Sequence, residues 1–408
     1  MDRAACEAAD RADPLAPLRG RFALPEGVIY LDGNSLGALQ PVVADRVAEV
    51  VCDEWGTGLI RSWNDAGWVT LSERVAGQLA PLLGAEADEL AVTDSTSANL
   101  FKALAAARWL RPDRRVVLTD DANFPTDVYV AGGLADLLGD LELRVVPSRE
   151  VAHHLDDEVA VLTLTHVDYR TGRLHDPVAL TAAAHDVGAV TVWDLSHSTG
   201  ALEVDLHRWG ADLAVGCTYK YLNGGPGAPA YLYAARRWHA ELATPIRGWF
   251  GHARPFAFAP TYEPASGAAR FLAGTPPVLS LAALEAALRI HEQTDPAAVA
   301  TKARALTERF IALVDARCRD DVQVVTPRDP DRRGAQVSLR HPRADAVMQA
   351  LIARGVIGDH RPPDLLRFGF APLYVSHTDV WDAVEVLADV LTTGVWDDPR
   401  YRTPRTVT

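Results

Sequence analysis

Ala211-Asp-Leu-Ala-Val-Gly-Cys-Thr-Tyr-Lys-Tyr-Leu-Asn-Gly-Gly-Pro-Gly227 reads as a short buried strand that runs into a glycine-rich loop. Lys220 stands at that junction. A lysine held at the end of an apolar strand is poorly solvated, the circumstance that turns an amine into a nucleophile. Upstream, Thr191-Val-Trp-Asp-Leu-Ser-His197 reads as a second strand ending in a carboxylate, Asp194. The interval between the two leaves room for one crossover connection.

A lysine to form a Schiff base and an aspartate to pair a pyridinium nitrogen are what pyridoxal phosphate (PLP) asks of a protein. The same pattern extends outward. Glu89-Leu-Ala-Val-Thr, Arg115-Val-Val-Leu-Thr, Leu143-Arg-Val-Val and Val159-Ala-Val-Leu-Thr-Leu-Thr read as strands. They alternate with helices expected near 71–83, 99–110, 127–138 and 177–187. Short Val/Leu runs between helices predict an α/β fold with a mostly parallel sheet and helices on its faces. Ligands of such sheets sit beyond the carboxyl ends of the strands. A helix-spaced set from Leu281 to Ile290 leads to a second unit. That unit carries a helix through Leu306, Phe310 and Leu313, strands at 336–340 and 365–370, and a last helix at 380–391. It is expected to be a small α+β domain. The predicted division is 1–55 as an N-terminal segment packing with the small domain, 56–290 as the large domain and 291–408 as the small one. The end, from Asp397, is expected to be loose.

At 408 residues the chain exceeds one typical core. A formal net charge of −14, with no Lys/Arg run, argues against a nucleic-acid partner. The four cysteines are scattered without a Cys-x-x-Cys pair, which predicts reduced thiols in a cytoplasmic protein. The charged N-terminus gives no signal peptide, and no apolar run reaches the roughly 18 residues of a membrane span. The histidines match no metal-ligand spacing, so no metal is expected.

Individual residues fit a PLP site. Thr93-Asp-Ser-Thr-Ser-Ala-Asn99 puts hydroxyls between a strand and a helix N-terminus, where a phosphate would bind, although Ser and Thr also serve there as ordinary caps. Phe124 follows the next strand and by residue type alone suits a core role. Asp127 suits a hydrogen bond nearby or the cap of the following helix. His197 on its own reads as a structural histidine.

Together, Leu31-Asp-Gly-Asn-Ser-Leu-Gly37, Phe124-Pro-Thr-Asp127, Trp193-Asp-Leu-Ser-His-Ser-Thr-Gly200, Cys217–Gly227, Gly248-Trp-Phe-Gly-His252 and Arg367-Phe-Gly-Phe-Ala-Pro-Leu-Tyr374 resemble the kynureninase family in the right order over about residues 28–390. The resemblance implies the aspartate-aminotransferase-like fold (fold type I) of PLP enzymes and hydrolysis of L-kynurenine, or 3-hydroxykynurenine, to an anthranilate and L-alanine. Members serve tryptophan breakdown, nicotinamide-cofactor synthesis and anthranilate supply. By resemblance Lys220 is the Schiff-base lysine, Asp194 pairs the pyridine nitrogen, and His197 supports it. Thr96, Ser97 and Tyr219 hold the phosphate, Phe124 stacks on the ring, and Asp127 and Thr165 contact the cofactor. Trp249 and Thr275 match positions that reach the phosphate from a partner subunit, which implies a homodimer with shared sites. Arg367 matches the arginine for the substrate α-carboxylate. In the implied scheme the substrate amine displaces Lys220, which then takes the Cα proton. Water adds to the γ-carbonyl, and Tyr219 helps protonate the three-carbon remnant. Trp63 and Trp68 are candidates for the aryl slot, with His252 or Asn34 and Ser35 toward the aniline. Threonine at 275, where animal members tend to carry asparagine, resembles the bacterial pattern and favours unsubstituted kynurenine. A cysteine desulfurase or selenocysteine lyase on the same fold is the nearby alternative, and a non-catalytic PLP-fold binding protein the distant one. Cys318, within an expected helix, is a poor desulfurase nucleophile.

Overall fold

The computed structural model describes residues 2–401. Its strands are β1 (Ile29–Tyr30), β2 (Leu90–Thr93), β3 (Val116–Asp120), β4 (Glu142–Val146), β5 (Val159–Thr165), β6 (Val190–Asp194), β7 (Leu213–Gly216), β8 (Ala230–Ala234), β9 (Gln323–Val324), β10 (Gln336–Arg340), β11 (Val356–Ile357), β12 (Asp359–Arg361) and β13 (Leu365–Gly369). Seven of them form one sheet in the order β2-β8-β7-β6-β5-β3-β4. All its pairings are parallel except those of β8, which runs antiparallel to both neighbours. The expected α/β architecture is therefore present, with one strand, β8, beyond those expected from the sequence. Ala-Tyr-Leu-Tyr-Ala lies directly after the glycine-rich loop, and every one of its residues is buried.

The central strands β3, β5, β6 and β7 are buried at every residue, as strands covered on both faces must be. One apolar cluster joins the Leu71–Leu83 and Val278–Leu288 helices to one face. Another joins the Thr96–Trp109 and Pro125–Leu138 helices to the other. The Thr96–Trp109 helix begins three residues before its expected start. Ser95 caps it by accepting from the Ala98 N–H at 3.3 Å, which puts Thr96 and Ser97 in its first turn.

A third cluster combines Leu15, Phe22 and Leu31 from the N-terminal segment with Phe310, Val337, Phe368 and Leu387. β1 pairs in parallel with β11, and β12-β13-β10-β9 form an antiparallel sheet beside it. The N-terminal segment also packs on the lysine loop. Gly37 donates its N–H to the Tyr219 carbonyl at 2.8 Å. A Cβ at Gly37 would stand 2.3 Å from the Lys220 carbonyl oxygen, so only glycine fits there. No helix among the described residues is long and apolar enough to cross a membrane. Of the expected loose end, residues 402–408 lie outside the described residues, and Pro399–Tyr401 form a 3-10 turn.

Candidate active site

The carboxyl ends of β5 and β6 lie side by side, with Thr165 and Asp194 in register. Asp194 is buried, and its Oδ1 accepts the Ser196 N–H at 2.6 Å, an Asx turn with no helix to cap. Three residues further on, the buried His197 holds its Nε2 2.9 Å from Lys220 Nζ. Burial, reinforced by the charges of Lys220, Arg367 and Arg361, pushes His197 well below the usual imidazole range. A neutral ring accepts from the lysine ammonium at Nε2 and carries its proton on Nδ1. Lys220 is not at a strand end: β7 stops at Gly216, and the lysine follows four residues later, half-buried in the loop. The Gly216 backbone is closed off by Tyr231 on β8, whose hydroxyl would be 2.3 Å from any Cβ there.

Asp127 does not cap the Pro125–Leu138 helix. Phe124 occupies the cap position, and Asp127 points inward next to Asp194. Burial, and then the Asp194 charge, raise its carboxyl well above the carboxylate range, so this pair holds a proton. Thr165 donates its hydroxyl to Asn123 Oδ1, and Asn123 Oδ1 also accepts the Phe124 N–H at 2.7 Å. Phe124 is not a core residue. It is 37% exposed and meets the Tyr169 ring edge-on at 5.1 Å.

A cavity of about 490 Å³ opens over the first turn of the Thr96–Trp109 helix, lined by Thr96, Ser97, Tyr219, Gly227 and Thr275 among others. Thr96 Oγ1 is buried with no hydrogen-bond partner. An orphaned hydroxyl beside the free N–H groups of a helix N-terminus fits a phosphate. Burial pushes the Tyr219 phenol upward, and Lys220 Nζ lies 5.9 Å from its ring centre. Asp94, at the same cavity, has φ of +49° and pairs with the completely buried Lys102, which also donates to the Phe271 carbonyl at 2.6 Å. Tyr219 on the cavity wall directly precedes Lys220, whose amine reaches His197, so an amine, the Asp194 carboxylate and a phosphate cup stand on adjoining segments, the three fixtures PLP needs.

The other expected residues are placed differently. Thr275 borders the cavity within one chain, whereas Trp249 joins an aromatic group with Trp63 (6.4 Å), Phe256 (5.6 Å) and Phe258 (6.2 Å). Trp63 also meets Trp68, whose indole N–H is taken by Glu54 at 2.6 Å. Both ring nitrogens of His252 face its own loop, Nε2 toward the Thr261 carbonyl and Nδ1 toward the Arg254 N–H. Asn34 is fully buried against Gly369. Arg367 is buried and already engaged. Its Nε donates to Asp359 Oδ1 at 2.8 Å, Nη2 to Asp359 Oδ2 and to Ser35 Oγ (2.8 Å), and Nη1 to the Tyr169 carbonyl at 2.7 Å. Ser35 therefore contacts the arginine cluster rather than an aniline pocket. Asp359, Arg361, Asp32 and Lys102 were not singled out in the sequence. A buried charge and its cross-strand partner leave no mark on local periodicity. Cys318 ends the Pro296–Arg317 helix with its thiol buried and pushed up to about 11, unfit for sulfur chemistry.

Residues 299–387 match the family described as the kynureninase C-terminal domain. The chain is 52% identical to the kynureninase of Pseudomonas fluorescens, covering 99% of each chain. It is 53% identical to that of Burkholderia mallei (strain SAVP1), covering 98% of each. Among solved structures it resembles C-DES holding glycine covalently linked to its PLP cofactor (TM-score 0.81, 18% identity, 91% of this chain and 99% of that one). It also resembles a cysteine desulfurase from Thermococcus onnurineus NA1 (TM-score 0.76, 20% identity, 92% and 98%). At these identities the structural likeness concerns the fold, that of fold type I PLP enzymes.

Proposed function

The chain belongs to the kynureninase family and is a PLP-dependent enzyme, and from that premise we propose how its own residues divide the hydrolysis of L-kynurenine to anthranilate and L-alanine. When bound, PLP supplies an electron sink conjugated to the substrate's amino carbon, which lets the Cα proton leave and the Cβ–Cγ bond break. Lys220 is the anchoring amine and, once the substrate amine has replaced it, the base for the Cα proton. Neutral His197, 2.9 Å away, orients that amine without competing for its charge. Asp194 would pair the pyridine nitrogen, and Asp127, which carries the pair's proton, spares it a second buried charge. Thr96, Ser97 and Tyr219 line the cup that would hold the phosphate, and the exposed Phe124 would stack on the ring. Thr165, through Asn123, steadies the loop that presents Phe124. Tyr219, with its phenol held protonated, is the donor to the three-carbon remnant. Arg367 receives the α-carboxylate.

The observation that carries this reading is the Lys220–His197 contact beside Asp194 and an orphaned Thr96 hydroxyl. Trp63, which joins Trp249 and through it Phe256 and Phe258, follows exposed Trp55, Leu59 and Ile60 by a few residues, and these apolar side chains suit a homodimer contact in which Trp249 and Thr275 serve the neighbouring site. Residues 1–55 act with the 291–408 domain, the 56–290 domain carries the cofactor, and the enzyme works in the cytoplasm. Thr275 favours unsubstituted kynurenine. The test is anthranilate fluorescence from the PLP-loaded protein with L-kynurenine, with 3-hydroxykynurenine in parallel. Equal amounts of anthranilate and alanine, formed faster from kynurenine, are expected. A bound cofactor with neither substrate cleaved would refute the assignment.

A further inference from the structure

Asp359 and Arg367 are cross-strand partners in register on β12 and β13, so their side chains leave the sheet on one face. Arg361, two residues beyond Asp359 on β12, leaves on that face too. The geometry follows. Asp359 Oδ2 accepts from both guanidiniums, Arg361 through Nη2 at 2.5 Å. Ser35 Oγ lies 2.8 Å from Arg367 Nη2 and 3.3 Å from Arg361 Nη2. Two arginines thus stand side by side on one shared carboxylate and one shared hydroxyl.

The charges do not close. Two guanidiniums against Asp359 leave one positive charge, and Asp32, the other acid at hand, is driven toward its neutral form by burial and by Asp359. Arg361 Nε is buried with no partner, while the side chain remains 31% exposed. An uncompensated, partly desolvated cation calls for an anion. Both arginines act electrostatically on His197, and Arg367 holds the carbonyl of Tyr169, whose ring packs on Phe124. The excess charge therefore faces the site.

We propose that Arg361 is a second recognition residue for the substrate's α-carboxylate, and that Asp359 and Ser35 are positioning residues that hold Arg361 and Arg367 as one two-pronged receptor. This rests on the reading that Arg367 receives that carboxylate. It reassigns Ser35 from the aniline end to the carboxylate end.

The test titrates the PLP-loaded protein with L-alanine and with ethylamine, the same amine without a carboxylate, following the cofactor absorption. Arg361→Met should weaken L-alanine binding on the order of tenfold and ethylamine binding less than about twofold, with Arg361→Lys between wild type and Met for L-alanine. Asp359→Asn adds net positive charge yet should also weaken L-alanine, because the forks lose their brace. Ser35→Ala, the mildest change, should raise the KM for kynurenine about threefold and leave kcat unchanged. Equal loss of both ligands in Arg361→Met overturns the proposal, as does tighter L-alanine binding in Asp359→Asn, which would make Asp359 a competitor. Arg367→Met tells the two readings apart. Loss of L-alanine binding there but not in Arg361→Met sinks only the second prong, and no loss in Arg367→Met sinks the carboxylate reading itself.

Discussion

Lys102 and Asp94 offer an asymmetric experiment. The Lys102 ammonium is completely buried, with the Asp94 carboxylate and the Phe271 carbonyl as its partners, while the Asp94 side chain keeps 35% exposure. Lys102→Met removes the buried charge and leaves a carboxylate that water can still reach. The loss is one charge-assisted hydrogen bond, about 1.5–3 kcal/mol. Asp94→Gly does the reverse and strands a desolvated ammonium on one carbonyl, a change of about 3–5 kcal/mol. Glycine is chosen because φ at Asp94 is +49°, so it adds no backbone strain. In the double variant no buried charge remains, and its loss should match that of Lys102→Met. Urea unfolding of the cofactor-free proteins gives the ranking, read from midpoints because a chain with several separate apolar clusters and a cofactor site need not unfold in two states. Both single variants should also release PLP more readily, since Asp94 directly precedes the Ser95 cap and the phosphate cup. Asp94→Gly no worse than Lys102→Met, or a double variant showing the sum of both losses, would refute the electrostatic account.

Three further outcomes are expected. Lys220→Ala should abolish kynurenine turnover and shift the bound cofactor's absorption to that of free aldehyde; retained turnover would remove the lysine from the chemistry. Phe124→Ala should weaken PLP binding about two- to tenfold, the worth of one aromatic contact, as measured by cofactor titration; an unchanged constant would mean the ring is uncovered. Asp32, pushed up to about 7 by burial and Asp359, ionises as pH rises and cancels the excess charge on Arg361 and Arg367. KM for kynurenine should therefore climb above pH 7, and Asp32→Asn should flatten that climb. Tyr30 and Tyr221, raised first by burial and further by the charges of Asp32 and Asp359, stay protonated throughout.

The fold was legible because β3, β5 and β6 are uniformly buried and so dominated by Val and Leu, and their carboxyl ends mark the site edge where Asp194 and Thr165 stand. β8 escaped because five residues after a glycine-rich loop carry little periodicity. The Thr96–Trp109 helix was started late because its first turn is polar, and that polarity is what lines the cavity. Thr96, Ser97 and Tyr219 meet at one cavity, and Lys220, the next residue after Tyr219, reaches His197 close to Asp194. The Arg361–Asp359–Arg367 cluster depends on which residues of two strands lie opposite each other, a register no single segment encodes. Lys102 sits in an alanine-rich helix where a lysine ordinarily faces water, and only tertiary packing makes it a buried cation.

The parallel pairing of β1 with β11 ties Ile29 to Val356. During synthesis at about 5–20 residues per second, roughly 330 further residues, and so about 15–65 s, must pass before β1 meets its partner. The sheet holding β2 to β8 emerges and can close in that interval, while the opening segment waits beside the ribosome without a core. Gly37, and with it the lid over the Lys220 loop, is then set last. A nascent chain halted before residue 356 would carry the lysine and the cavity at Thr96 without the strand that anchors this lid, so competence to turn over substrate arrives only after residue 356 has been made.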